Sequence, residues 1–409
     1  MIKKITYVLL YCILLAPFFG YIHKSILGLS LSILHYYAIA VFLFGIAFIL
    51  FTKKISYPKY IWLMLIYAVY RLYSAYISEE DFKITTHGYF FIENISIIMI
   101  IVIIYNSYFS DRFIKRSVTL IKLIIFLAFV ASLIQAYDSA FLNAWYHWGY
   151  ENLLDQSIYS QRRTSIFGFV NPNEMGLSYV PLCSVLIGFL MFTRNKFYLL
   201  FLGLVLMSAV FSNTRYVMLG VVILSGQIII ENRDKIKSSI RYISTALLLG
   251  VILYFAFTYI GYDFVDFFNE RLFAEGSFTE STRYRAFDNF VYFFPQQPIF
   301  GTGVHLTYEI AEASRMVGSS QIHVGYLSHL VSYGIVGSLL LFSFWFLLAK
   351  SLYNTAIKTG YWGSFFAFII FLFAELTLVN YSIFFTGIIF ALVFDKYITD
   401  KQAAGWQAL

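Results

Sequence analysis

The chain has 409 residues, of which 60% are hydrophobic, 21% aromatic and only 12% charged, and its mean hydropathy is +0.74. That composition excludes a string of soluble domains: the apolar residues fall in blocks of about 18–25, the length a helix needs to cross roughly 30 Å of hydrocarbon. A transmembrane barrel is excluded because its short strands would alternate in polarity, and the formal charge of +7 is read first as a topology signal, with no nucleic-acid partner inferred from it.

The first block, MIKKITYVLLYCILLAPFFG, has the basic start and apolar run of a signal peptide. A second long apolar block follows at once, so the first is read as a membrane helix. Hydropathy predicts twelve spans, at 5–22, 27–51, 58–77, 88–106, 117–137, 173–193, 197–213, 215–231, 240–261, 323–349, 361–378 and 380–397. The predicted fold is therefore an all-α polytopic membrane protein. Its parts are N-terminal helices (1–137), an outer loop (138–172), central helices (173–261), a large extracytoplasmic loop with short helices (262–322), C-terminal helices (323–397) and a tail (398–409). The terminal QAAGWQAL lacks the character of the preceding span and reads as an appended segment.

An even count puts both ends on one side. With the N-terminus cytoplasmic, the inner segments hold 18 of the 29 basic residues, and every inner loop is basic, as the positive-inside rule demands. The outer side holds Lys24, Lys83, Arg162, Arg163, Arg215, Arg271, Arg283, Arg285 and Arg315, and Arg71 and Lys122 fall within spans. Topology needs no outer cations. Arginine suits a bidentate grip on phosphate or carboxylate, the alternative being pairing with outer acids such as Asp155, Glu270, Glu280 and Asp288. The two long outer segments are where function is expected. In the larger, Phe287, Phe290, Val291 and Phe294 recur at helical spacing over Ser281 to Phe294 and predict an amphipathic helix near the membrane face.

Familiar soluble chemistry is missing. There is no phosphate loop ending in Lys-Ser/Thr, no metalloprotease histidine pair, no Gly-x-Ser-x-Gly elbow and no cysteine pair for zinc, since Cys12 and Cys183 lie singly in apolar blocks. No metal site and no cofactor is predicted. His23, His35, His87 and His147 are assigned packing or interfacial roles. His323 stands apart, at the outer start of the tenth span after the long loop. At about 100° per residue it shares a helix stripe with Gly334 and Gly337, glycines that would let another helix approach closely. Arg215 opens the eighth span at its outer end, where unpaired helix amides add partial positive charge and a cation needs an anion to join it. With Arg283 and Arg285 these residues would make an outer-facing anion site containing one imidazole.

At these residues the chain resembles the bacterial O-antigen polymerase and O-antigen ligase family. The resemblance is carried by Ser-x-Thr-Arg at Ser212 to Arg215, by Arg283 followed 15 residues later by Pro298-Ile299-Phe300-Gly301-Thr302-Gly303, and by His323 with Gly334-Ile335-Val336-Gly337. The stretch from Arg163 through Asn171-Pro172-Asn173 is similar to a further family motif, and the motifs together cover 160–340. The resemblance implies a metal-independent glycosyltransferase of the bacterial inner membrane, acting at its periplasmic face on polyprenyl-diphosphate-linked glycans as donor and acceptor. A chain-length regulator protein and membrane lipids would be its other partners. It implies that Arg215 and Arg283 hold the diphosphate and that His323 lies near the acceptor hydroxyl, with Arg285, Arg163, Arg162 and Asn173 in substrate binding. Ligases of the family usually carry a polar residue after the histidine; here Val324 follows, which favours polymerase. A flippase for the same lipid-linked sugars is the alternative of another class. It would draw on intramembrane Arg71, Glu93, Lys122 and Glu375.

Overall fold

The computed structural model describes residues 2–19, 33–78, 84–137, 172–212, 215–231, 244, 282–303, 322, 324–376 and 386–405. Among the described residues the regular structure is helical: α1 (Ile2–Phe19), α2 (Ile33–Phe51), α3 (Ile61–Ser78), α4 (Ile84–Asn106), α5 (Asp111–Tyr137), α6 (Pro172–Phe192), α7 (Tyr198–Ser212), α8 (Arg215–Glu231), α9 (Thr282–Phe293), α10 (Gly325–Thr359), α11 (Gly363–Ala374) and α12 (Thr386–Ala403). Each predicted span but one carries a helix. The remaining span, 240–261, lies outside the described residues apart from Ser244. Of these helices α10 is long and apolar enough by itself to cross a membrane, and shorter apolar stretches lie in α2, α3, α4, α6, α7, α8 and α11.

The faces of α3 show why the chain belongs in lipid. Ile61, Met64, Tyr67, Ala68, Ser74 and Ala75 are buried at helical spacing, but the opposite stripe, Trp62, Ile66, Val69, Tyr73 and Tyr76, is exposed and equally apolar. A helix of a soluble protein would carry charge on that face. In hydrocarbon an apolar face costs nothing, and the helix satisfies its own backbone groups.

Without a hydrophobic drive between helices, close packing decides which of them pair. α11 sits against α6, α8 and α12. Its first residue meets α6 so tightly that a Cβ on Gly188 would stand 2.6 Å from the Gly363 Cα. Ser184 clamps the same crossing by donating to Gln227 Oε1 (2.7 Å) and to the Gly363 carbonyl (2.9 Å). Gly387 of α12 seats against the Pro181 ring of α6. At the inner end α12 runs on to Ala403, through the first part of the predicted tail. There Lys401 Nζ lies 2.7 Å from Asp111 Oδ1, Tyr397 donates to the same oxygen, and Gln402 donates to the Thr359 carbonyl. Asp111 opens α5, where the helix amides also favour negative charge. The Lys401 hydrogen bond holds its carboxyl below the usual carboxylate range.

Candidate functional site

The site is organised by a break in α10. Gly334 has φ 63° and ψ −170°, outside the helical region, so the helix consists of an outer arm, 325–333, and a long arm, 335–359. The arms fold back on each other. The Tyr326 ring lies 5.5 Å from Phe342 and 5.9 Å from Trp345, whereas a straight helix would hold residues sixteen apart about 24 Å away. The expectation that His323, Gly334 and Gly337 share one stripe of a continuous helix is therefore wrong: the periodicity ends at Gly334. Close approach does occur at both glycines. A Cβ on Gly337 would stand 2.5 Å from Tyr70 Cε1 of α3, and one on Gly334 would press into the Ile299 carbonyl.

The segment Pro298–Gly303 fills the notch. A broken helix leaves amides and carbonyls unpaired on both sides of the break, which cannot be left bare away from water. Thr302 and Gly303 donate to the carbonyls of Val331 and Ser332 (2.9 and 3.0 Å), and Ile335 and Val336 donate to those of Pro298 and Ile299 (2.8 and 3.2 Å). Gly301 (φ 81°) lies so close that a Cβ there would be 2.5 Å from the Gly334 amide. From α3, Tyr70 donates to the carbonyls of Phe300 and Tyr333, and Ser74 to that of Phe300. The Gly-x-Gly run is thus the backbone patch of the break.

This docking brings α9 alongside the outer arm. Ala286 and Phe293 of α9, with Ile322 and Val331, form one buried cluster, flanked by Phe290, Phe294, Val324 and Leu327. The helix predicted over Ser281 to Phe294 is present as Thr282–Phe293. Ala286, Phe290 and Phe293 turn inward, and Phe287 and Val291 are exposed. Arg283 and Arg285 fall in the first turn of α9, and Ala286 follows them directly. His323 lies outside the described residues, but its neighbours Ile322 and Val324 both belong to the α9 cluster. Arg162 and Arg163 also lie outside the described residues.

The outer ends of α8 and α11 set the depth of the third element. A Cβ on Gly220 would meet Val180 at 2.8 Å and Ile370 at 3.6 Å. α8 runs inward from Arg215 and α11 runs outward to Ala374. Arg215 and Glu375 each lie five residues beyond that contact, about 7.5 Å along their helices, so the backbone of Arg215 is level with Glu375. The Glu375 carbonyl in turn accepts the Gly325 amide (2.7 Å). Asn173, in the first turn of α6, is seven residues beyond Val180, about 10 Å further out along its helix. The backbone of Arg215 and the start of the outer arm therefore both lie at the depth of the outer end of α11, and α9 packs on that arm through the Ala286 cluster.

Residues 197–342 match the family described as O-antigen ligase. That match supports a place for the chain in the O-antigen polymerase/ligase family. No curated protein matches it. The matched stretch runs from α7 through the break in α10, and it contains Arg215, Arg283, the Gly301–Gly303 patch and His323. The family supports O-antigen polymerase or ligase activity in general, in a membrane protein of lipopolysaccharide biosynthesis. Among the described residues no three His, Cys, Asp or Glu side chains gather as a metal site.

Sequence reasoning passed over His329. Its Nε2 lies 3.9 Å from Glu375 Oε2, and the two side chains are 3% and 0% exposed. Glu375 was legible as an acid in an apolar block. Such a group needs a partner inside the bundle, and a search for one would have reached His329.

Proposed function

We propose that this chain is a polysaccharide polymerase of the O-antigen or capsule type in a bacterial inner membrane. It transfers a growing glycan from polyprenyl diphosphate to the next lipid-linked repeat unit at the periplasmic face. The observation that carries this reading is the docking of Pro298–Gly303 on the Gly334 break. It ties the helix whose first turn holds Arg283 to the arm that His323 precedes, with Arg215 opening a helix whose outer end is level with that arm's start.

The chemistry is one displacement. An acceptor hydroxyl oxygen attacks the anomeric carbon of the donor glycan, and the bond from that carbon to the diphosphate oxygen breaks. The hydroxyl proton passes to the His323 imidazole, and polyprenyl diphosphate leaves with the electron pair. Arg215 and Arg283 stabilise the charge growing on the departing diphosphate, aided at Arg215 by the amides of the helix N-terminus. Arg285, Arg163, Arg162 and Asn173 contribute to substrate binding. One displacement inverts the anomeric carbon, and the arginines supply the positive charge without a metal. Val324 in place of a polar residue after the histidine favours polymerase over ligase.

Purified protein in liposomes, given lipid-linked repeat units as sole substrate, tests this reading. A ladder of longer lipid-linked products is expected. Products that form only when lipid A core or another second acceptor is added would establish the ligase instead.

A further inference from the structure

Glu375 and His329 meet where three elements join, at the end of α11, on the outer arm of α10 and under the long arm. Glu375 makes two different contacts with the outer arm. Its carbonyl accepts the amide of Gly325, the arm's first residue, and its carboxyl lies 3.9 Å from His329, one turn along, within ion-pair distance but beyond a direct hydrogen bond. Tyr326 adds a third tie by donating to the Leu372 carbonyl (2.8 Å). Trp345 and Phe342 of the long arm close over the imidazole at 5.5 and 6.2 Å, and Trp345 in turn stands against Phe371 of α11. Rings alone could hold a helix there without an ionisable pair. A carboxylate and an imidazole buried in an apolar bundle add little net stability, because desolvation offsets their attraction. What such a pair can supply is register, since the apolar rings allow the arm to slide and the pair does not.

We propose that the Glu375–His329 pair is a latch that fixes the outer arm of α10 against α11, making Glu375 a positioning residue for glycan transfer through the histidine two residues ahead of Gly325. The transfer role rests on the function proposed above; the latch itself does not.

Two measurements on the full-length protein in lipid nanodiscs separate them. Amide hydrogen exchange over 325–333, with 335–359 as internal reference, reads the latch. Glu375→Leu is expected to speed exchange in the outer arm by about tenfold or more with the long arm unchanged, and Glu375→Gln, which keeps a polar partner for His329, to restore most of the protection. Steady-state transfer from lipid-linked repeat units reads the positioning role. Glu375→Leu is expected to lower kcat by about tenfold or more with donor KM within about twofold of wild type, the pattern of an interaction that matters only in the transition state. Should Glu375→Leu fail to insert, Glu375→Asp replaces it. The shorter side chain keeps the acid but withdraws it from His329, with the same pattern at smaller amplitude. Unchanged exchange in the outer arm overturns the latch whatever the transfer assay shows. Faster exchange with unchanged kcat overturns the positioning role. If wild-type protein transfers no glycan, the proposed function falls and exchange alone decides the latch.

Discussion

Replacing Gly334 by alanine attacks the feature on which the site's geometry depends. At φ 63° and ψ −170° the backbone occupies a region that is essentially glycine's alone, costing an L-residue about 1–3 kcal/mol. The new Cβ would also press into the Ile299 carbonyl and stand 2.6 Å from the Gly301 amide. Both neighbours are backbone, so the 298–303 segment has to lift, and its four bonds to α10 are strained or lost. At about 0.5–1.5 kcal/mol each, losing two of the four adds about 1–3 kcal/mol. The sum, about 2–6 kcal/mol, shifts the balance between docked and undocked segment by at least about thirtyfold. Gly360→Ala is the control, because Gly360 also has positive φ (77°) but nothing within 4 Å of an added Cβ. It should cost only about 1 kcal/mol, from strain alone. Thermal unfolding in detergent and amide exchange at 299–303 read the two variants. Gly334→Ala should lower the midpoint well beyond Gly360→Ala and deprotect the segment selectively. Equal effects of the two variants would refute the reasoning, because they would mean that the packed notch contributes nothing.

Other predictions bear on chemistry, the α3 clamp and the inner end. Arg215→Ala, Arg283→Ala and His323→Ala should each abolish glycan extension with membrane levels unchanged by immunoblot, and Arg283→Lys should rescue poorly because an ammonium cannot match the bidentate fork. Tyr70→Phe removes donation to the Phe300 and Tyr333 carbonyls, each 3.0 Å away. It should destabilise the protein by about 1–2 kcal/mol, read as a lower unfolding midpoint. Lys401→Ala should bring the Asp111 carboxyl back toward its ordinary value, as seen by carboxyl NMR. Because the folded-state value is lowered, the stability this pair adds is present above the unfolded carboxylate value and is lost as pH falls through the folded one. The difference in midpoint between wild type and Lys401→Ala should therefore vanish in acid, and it should be small throughout because Asp111 is exposed.

The apolar helices were legible because apolar length is a property of sequence alone, and the described helices stop and start near the predicted boundaries, except where α5 begins six residues ahead of its predicted inner end and α10 and α12 run on past theirs. The break in α10 was not. Gly334 fits a helix by position, and only its pairing with Gly301, 33 residues earlier, makes a positive φ affordable there. The existence of α9 was legible from its apolar spacing, but which apolar residues are covered was not: Phe287 and Val291 are as apolar as Phe290 and Phe293, and only the tertiary partners Ile322 and Val331 show which face is buried. His329 went unremarked because its approach to Glu375 is a contact between helices that no local pattern encodes. The arginine assignments rest on topology, which gives no reason for a cation on the predicted outer side.

The most direct test of the central claim is surface-glycan length in a strain that lacks its own repeat-unit polymerase, comparing wild-type protein with His323→Ala. A ladder restored by wild type and absent from the variant, with both proteins present in the membrane, is the predicted result. A ladder of equal length from both would contradict the account, because it would remove the histidine from the reaction that the break in α10 is proposed to serve.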